Sequence, residues 1–430
     1  MRFIIIKYGL LLAFTFWGII SLGQMQKLKI SENKRFLAKQ DGSPFIWIGE
    51  TNWFFAKLPP ETINKILDKR KSQGFNVMLV SCREKLYNGE GPGSINHPNE
   101  DWWKYLDEYV EKCCQRNLYV GITLGWWGTI HRYSERELFE FGKWVGNRYK
   151  NNENIIWLTL GEAGAHQRKK ELSKEKLLAL INGIRKGDTG NKLLTLHADY
   201  KRGTSLGWES EICDFNNWQT SQWATPKDLP KKGDKNWTVW EAIAFDYNQR
   251  YNGKPKPTID MEAWYENNKD FCNASDFEIR RRAYFTIFAG AFGHNYGAGG
   301  IWDGLSEKES CSGSALEAID YTGARQIGYL SNFLHQLGND FFKLQPNQNL
   351  IIGENPKDYN EHIQATIADD HSFALVYSAC NKEFYLDLSC FAGNRIKYNW
   401  FNPRENTYSK KLVIKIRKGE TNVSFSPPGD

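Results

Sequence analysis

The sequence predicts an α/β fold in two parts, a (β/α)₈ TIM barrel over residues 24–335 and a small antiparallel β-sandwich domain over residues 336–430. Three observations carry this reading. At 430 residues the chain is too long for one ordinary domain and suits a barrel of ~250 residues with a smaller partner. From residue 45 onward, eight short apolar runs alternate with longer amphipathic segments, the pattern of parallel strands buried on both faces and joined by helices. After Trp302 the rhythm changes, and from about residue 339 short alternating strands follow one another with turn residues between them, as in a compact antiparallel domain.

The first element is a leader. Arg2 and Lys7 precede or border an uncharged run, residues 8–22, that is mostly Leu, Ile, Phe and Ala and ends in Ser21-Leu22-Gly23. A basic start, an apolar stretch and small residues at the cleavage position make a secretory signal peptide. Residues 1–23 are therefore expected to be removed before Gln24, and the protein to be exported, periplasmic or extracellular. The run is shorter than the ~18–20 residues of a membrane-spanning helix, so no stable membrane span is expected after cleavage.

The barrel strands are read at residues 45–49, 75–81, 118–124, 155–160, 192–197, 212–218, 257–262 and 291–296. Helical periodicity marks residues 60–73, 101–117, 134–149, 173–185, 234–247 and 276–289. Pro59-Pro60 and Ser134-x-x-Glu137 are helix starts, the second a capping box that satisfies free N–H groups of the first turn. The link at 198–211 is short and less clearly helical. Helical crossovers between most strands favour a barrel over the alternative, an open doubly wound sheet. A helical stretch at 315–337 returns the chain across the barrel. The strands of the β domain are read at 362–368, 372–378, 383–388, 395–401, 411–416 and 422–426.

Composition narrows the function. The 56 basic and 50 acidic residues give a net charge of +6 without long blocks of either sign, which is a solvated surface and not a nucleic-acid footprint. Eight cysteines without a CxxC pair read as isolated thiols with one or two disulfides, not as a zinc site or disulfide framework. The 17 Trp and 20 Tyr fit either a large aromatic core or surfaces that stack on sugar rings. Gly203-Thr204-Ser205-Leu206-Gly207 matches G-x-S-x-G but lacks the strand before and the helix after that a nucleophile elbow needs. Gly297-Ala298-Gly299-Gly300 is not followed by a helix start suited to phosphate. No metal set and no organic cofactor is expected.

In a (β/α)₈ barrel the active site lies beyond the C-terminal ends of the strands. Glu162 follows the fourth strand and Glu262 ends the seventh, on opposite sides of the barrel mouth. Cleavage of a glycosidic bond needs such a pair, one acid to protonate the leaving oxygen and one carboxylate on the other side. Either glutamate alone fits a helix cap or an ion pair equally well; the paired placement is what points to chemistry. Asp260, two residues before Glu262, is expected on the same side of the strand, one layer below and supporting it.

With these residues in place, the chain resembles the apiosidase-like family of glycoside hydrolases across roughly residues 36–302. The resemblance rests on Trp47-Ile48-Gly49-Glu50-Thr51-Asn52-Trp53, Gly74-Phe75-Asn76-Val77, Asn154-Ile155-Ile156-Trp157, Leu196-His197, Asp214-Phe215-Asn216, Ile259-Asp260-Met261-Glu262-Ala263-Trp264-Tyr265-Glu266 and Gly290-Ala291-Phe292-Gly293-His294-Asn295-Tyr296-Gly297, with Tyr321-Thr322-Gly323-Ala324-Arg325-Gln326 beyond the barrel. It implies that Glu162 is the general acid and Glu262 the nucleophile. The sequence departs from the family where Leu160-Gly161-Glu162 replaces a usual Gly-Gly-Asp, where Glu50 and Asn52 replace the commoner Asp and Ala, and where Gln219-Thr220-Ser221-Gln222 lacks the usual His. The C-terminal part resembles the small β domain that commonly follows, which is labelled collagen-binding by analogy.

The expected protein is thus an exported glycoside hydrolase acting on an oligosaccharide or polysaccharide, of plant-type or other complex origin, by a retaining two-glutamate mechanism. Glu50, Trp127, His197, Gln219, Tyr265, His294 and Trp302 lie at or just past strand ends and are candidate substrate contacts, with Tyr265 placed to hydrogen-bond and orient Glu262. Two alternatives share the fold: a non-catalytic carbohydrate-binding protein, and a binding role seated in the C-terminal domain on Trp400, Phe401 and Tyr408.

Overall fold

The alternation read in the sequence closes into a ring. The computed structural model describes residues 3–7, 25–125, 131–162, 173–190, 192–199, 202–220, 231–232, 235–250, 252–268, 273–305, 313–416 and 421–428. Strands Trp47–Thr51, Val77–Ser81, Tyr119–Thr123 and Ile155–Thr159 run parallel, each bonded to the next. Asn216–Gln219, Thr258–Asp260 and Gly293–Ala298 continue the ring, and the last pairs back onto Trp47–Thr51. The fifth position, residues 193–197, closes the remaining gap. Trp157 N–H donates to Leu193 O at 2.9 Å, Thr195 N–H to Trp157 O at 2.8 Å, and Asp214 N–H to Leu194 O at 2.8 Å.

Most of these strands are buried at every residue, which is why they read as continuous apolar runs. The fifth is not a regular ladder because a side chain stands in for backbone. Asn217 Nδ2 donates to Leu196 O at 2.6 Å, and its Oδ1 accepts from Ala198 N–H at 2.9 Å. The link that lacked helical periodicity is a pair of 3₁₀ turns, Thr204–Leu206 and Trp208–Glu211.

Among the described residues, six helices form the outer layer: α1 (Pro60–Ser72), α2 (Glu100–Gln115), α3 (Glu135–Arg148), α4 (Lys174–Gly187), α5 (Val239–Asn248) and α6 (Asp276–Phe288). Capping boxes at Ser134/Glu137, Thr238/Glu241 and Ser275/Glu278 fix where α3, α5 and α6 begin, and hence where the loops leaving the strands' C-terminal ends stop. Beside the fourth strand, α3 and α4 interlock through Gly142, Gly146, Gly183 and Gly187. A Cβ at any of these would come within 2.1–2.5 Å of backbone on the other helix, so only glycine permits that approach.

Helices α7 (Ala315–Ala318) and α8 (Thr322–His335) return the chain to the β domain. Its larger sheet runs in the order Leu344–Pro346, Ile363–Ala368, Phe373–Ser378, Phe3–Lys7, Arg395–Asn402, with Thr407–Tyr408 and Leu412–Lys415 beyond. The smaller sheet is Ile351–Ile352, Phe384–Asp387 and Asn422–Phe425. Ala374 and Val376 turn into the sandwich core with Phe384 and Trp400, whereas Phe373, Leu375 and Tyr377 join the barrel's core. The large sheet is thus covered on both faces, and the two parts share one wall.

Two features depart from the sequence reading. Phe3–Lys7, within the leader pattern, lies antiparallel between Phe373–Ser378 and Arg395–Asn402; nothing in that pattern points to strand pairing. Trp400 and Phe401 are 4% and 0% exposed, packed on Phe384 and on Phe333 of α8. They are core residues and not contacts for a glycan. Tyr408 donates its hydroxyl to Gln336 Oε1 at 2.9 Å.

Candidate active site

The seventh strand aims its residues in two directions. Thr258 Oγ1 donates to Asp246 of α5 at 2.8 Å, and Asp260 faces Arg282 of α6, so both point outward to the helices. Strict alternation would send Glu262 the same way. It does not go there, because the ladder ends at Asp260. Met261 N–H and Glu262 N–H both turn onto Trp218 O, at 2.8 and 3.4 Å. Two consecutive residues opposing one carbonyl is the geometry of a β-bulge, which re-aims a side chain. Asp260 is therefore on the helix side of the wall, not one layer below Glu262 as alternation predicts.

The bulge places Glu262, 2% exposed, between Tyr265 and His197. Tyr265 donates its hydroxyl to Glu262 Oε1 at 2.5 Å, and His197 Nε2 lies 3.1 Å from Oε2. Trp53 Nε1–H donates to the Tyr265 oxygen at 3.1 Å, and its ring meets the His197 ring edge-on at 5.0 Å. Burial and the adjacent Glu262 hold the Tyr265 phenol well above its usual range. It stays protonated and donates, so one carboxylate oxygen is held by a hydrogen bond while the other lies against the His197 ring.

The fourth strand also ends irregularly. Its register to the third slips after Trp157, Thr159 takes φ 51° and Glu162 φ 50°. A β-branched residue rarely enters that left-handed region, and strain of this kind gathers at functional sites. Gly161 N–H donates to Gly125 O at 2.9 Å, which pins the turn carrying Glu162. Glu162 is half-buried where Glu262 is almost fully buried. The pair therefore combines one carboxyl in reach of water with one held dry.

Of the remaining candidates, Gln219 is 2% exposed and alternates to the same side as Asn217, whose amide meets Thr195 inside the ring. Its Oε1 is buried with no hydrogen-bond partner among the described residues. Trp302 is half-buried, with its ring 5.8 Å from Tyr265 and 5.6 Å from Phe54. Trp127 lies outside the described residues.

Two candidates face the other way. Glu50 is completely buried and ion-paired with Arg70 of α1; burial outweighs that partner and pushes its carboxyl up to about 7. Arg70 also donates to Ile319 O and Ala318 O, so the pair ties α1 to α7 and is a brace, not a sugar contact. His294 sits opposite Asp260 in the ladder and turns toward Arg282; burial and that guanidinium lower its pKa to about 3. It is a neutral wall residue. In both cases strand-end position is read correctly, but the parity of the strand puts the side chain outside the ring. Trp53, part of the first-strand motif but given no role from sequence, also lines the site through Tyr265 and His197. Its place two residues past Thr51, the end of the first strand, is the signal that identifies it.

Residues 31–340 match the family model described as "Apiosidase-like, catalytic domain", and residues 345–430 match "Putative collagen-binding domain of a collagenase". The crystal structure of a glycoside hydrolase family 5 protein from Bacteroides vulgatus ATCC 8482 is 25% identical, covers 94% of this chain and 90% of its own, and superposes with a TM-score of 0.82. A second solved glycoside hydrolase is 24% identical with 94% of each chain covered and a TM-score of 0.80. A family 5 mannosidase from Rhizomucor miehei, 13% identical over 73% of this chain and 98% of its own, shares the barrel fold at a TM-score of 0.51. No curated protein matches.

Proposed function

The chain belongs to the apiosidase-like family of glycoside hydrolases, and we propose that it cleaves a terminal or near-terminal glycosidic bond with retention, using Glu162 and Glu262. The observation that carries this reading is the clamp on Glu262. A carboxylate with one oxygen hydrogen-bonded by Tyr265 and the other lying against His197 Nε2 is aimed and kept from rotating, as a nucleophile must be. Glu162 protonates the glycosidic oxygen as the bond to the leaving group breaks, while a Glu262 oxygen bonds the anomeric carbon. Glu162, now a carboxylate, takes a proton from water, whose oxygen attacks the anomeric carbon from the face the leaving group vacated and displaces Glu262 from the other. No step needs a metal or organic cofactor.

The substrate class we propose is an oligosaccharide or polysaccharide of plant-type or other complex origin, met outside the cytoplasm after export directed by residues 1–23. Gln219 and Trp302 supply a hydrogen-bonding group and a stacking face at the rim. Sugar release from a panel of aryl glycosides and pectic oligosaccharides tests this, with Glu162→Gln and Glu262→Gln alongside the wild type. Release that vanishes in both variants is expected. Activity that survives Glu262→Gln in full would remove the two-glutamate mechanism.

A further inference from the structure

Behind the seventh strand lies a buried cluster that the mechanism above does not use. Thr220 Oγ1 donates to Asp260 Oδ2 at 2.6 Å and accepts from Arg282 Nη2 at 2.5 Å. The run from guanidinium through hydroxyl to carboxylate has one consistent direction, and both charged ends are completely buried. Thr220 and Trp218 belong to the end of the sixth strand; Asp260 and the bulge at Met261 and Glu262 belong to the end of the seventh. The cluster therefore latches the two strand ends together at the residue before the bulge.

Hydrogen bonds alone do not hold Arg282. Its Nε and Nη1 have no partner among the described residues. What holds the guanidinium is a pair of rings, Trp264 at 4.4 Å and Tyr359 at 5.9 Å, the cation–π contact favoured for a desolvated arginine. Trp264 is two residues beyond Glu262. Tyr359 comes from the C-terminal domain. Its oxygen accepts from Val239 N–H at the start of α5, and the neighbouring Asn360 accepts from Arg281. The same loop stacks His362 on Trp240 of α5 at 3.8 Å.

We propose that Arg282, seated against Trp264 by Tyr359 of the C-terminal domain, is a positioning residue for the nucleophile, so that the β domain is a working part of the active site. This rests on Glu262 acting as proposed above. The loop 355–362 closes the wall between α5 and α6, Arg282 sets the Asp260–Thr220 latch, and the latch sets the bulge that turns Glu262 inward.

The test uses the full chain with Tyr359→Ala and with the double variant Asp260→Asn/Arg282→Met, which removes both charges so that neither is left buried alone. Lys357→Ala, on the same loop but exposed, is the control. Two readouts are taken on folded protein: kcat and KM on whichever panel glycoside the wild type cleaves, and hydrogen exchange of the peptide 258–265 without substrate. Expected are a fall of about 10–100-fold in kcat, since misplacement by ~1 Å can cost ~100-fold, with KM within about threefold of wild type on that account, and faster exchange at 258–265 but not at 155–162. Wild-type kcat, a rise in KM alone, or unchanged exchange at 258–265 would overturn the proposal. A wild type that cleaves nothing on the panel counts against the assigned activity, and exchange then decides the positioning role by itself.

Discussion

Replacing Tyr265 by Phe removes one oxygen that serves two partners. Its hydroxyl donates to Glu262 at 2.5 Å and accepts from Trp53 at 3.1 Å. A hydrogen bond to a charged group contributes roughly 1.5–3 kcal/mol, and each ~1.4 kcal/mol is tenfold in rate. If orientation of Glu262 depends on this bond, kcat falls about 10–100-fold while KM, set by the rest of the mouth, stays near wild type. The Trp53 indole also loses its acceptor inside the protein, which lowers stability by about 1–3 kcal/mol. Because the Tyr265 phenol is raised well above its usual range, it remains a donor at every pH where the enzyme is stable. The ratio of wild-type to variant kcat is therefore expected to be flat from about pH 5 to pH 9. Steady-state kinetics across that range with a denaturant titration measures all three quantities. A folded variant with wild-type kcat, or one whose loss appears only in KM, refutes the clamp.

Three further outcomes follow from buried charge and strand pairing. Burial raises the Asp246 carboxyl from its usual 3.8 to about 7, so between about pH 4 and pH 7 the folded state holds a proton the unfolded state has lost, and stability falls as pH rises through that window. Asp246→Asn is expected to match wild type near pH 5 and exceed it at pH 8 by on the order of 1–3 kcal/mol; equal differences at both pH values in urea titrations count against this. Arg70→Met removes the partner that favours the charged form of Glu50, so its buried carboxyl, already up at about 7, is left neutral inside the wall. The lost bonds to Glu50, Ala318 and Ile319 lower stability by about 1–3 kcal/mol, with kcat per folded molecule unchanged; loss of kcat without loss of stability would return Glu50 to the substrate site. Phe3–Lys7 pairs five residues with a strand on each side. At about 0.5–1.5 kcal/mol net per hydrogen bond, the 24–430 chain is expected to unfold earlier and to be cut faster between residues 373 and 402 than the full chain, and identical melting and proteolysis would show that the strand adds nothing.

The barrel is legible in the sequence because its strands are buried on both faces and its helices carry capping boxes, signals that survive without tertiary context. Residues 372–378 read as a strand for the same reason: the large sheet is covered by sandwich on one side and barrel on the other. What period-two reasoning does not carry is parity at the ends of strands. A bulge after Asp260 turns Glu262 inward while Asp260 stays outside, and the plain parity of their own strands puts Glu50 and His294 outside as well. Bulges depend on partners from the next strand, here the Trp218 carbonyl, which no local pattern announces. The Arg282–Trp264–Tyr359 stack is equally silent in sequence, because its members come from a helix, a loop and a second domain.

On the proposed mechanism, Glu262 forms the bond to the sugar. A 2-fluoro aryl glycoside of whichever sugar the panel identifies slows the second step and traps the intermediate. Digestion and mass spectrometry are expected to find the sugar on Glu262, on the peptide that contains the Met261–Glu262 bulge, and the first product seen by NMR to keep the anomeric configuration of the substrate. Label on Glu162 instead, or a first product of inverted configuration, would contradict it.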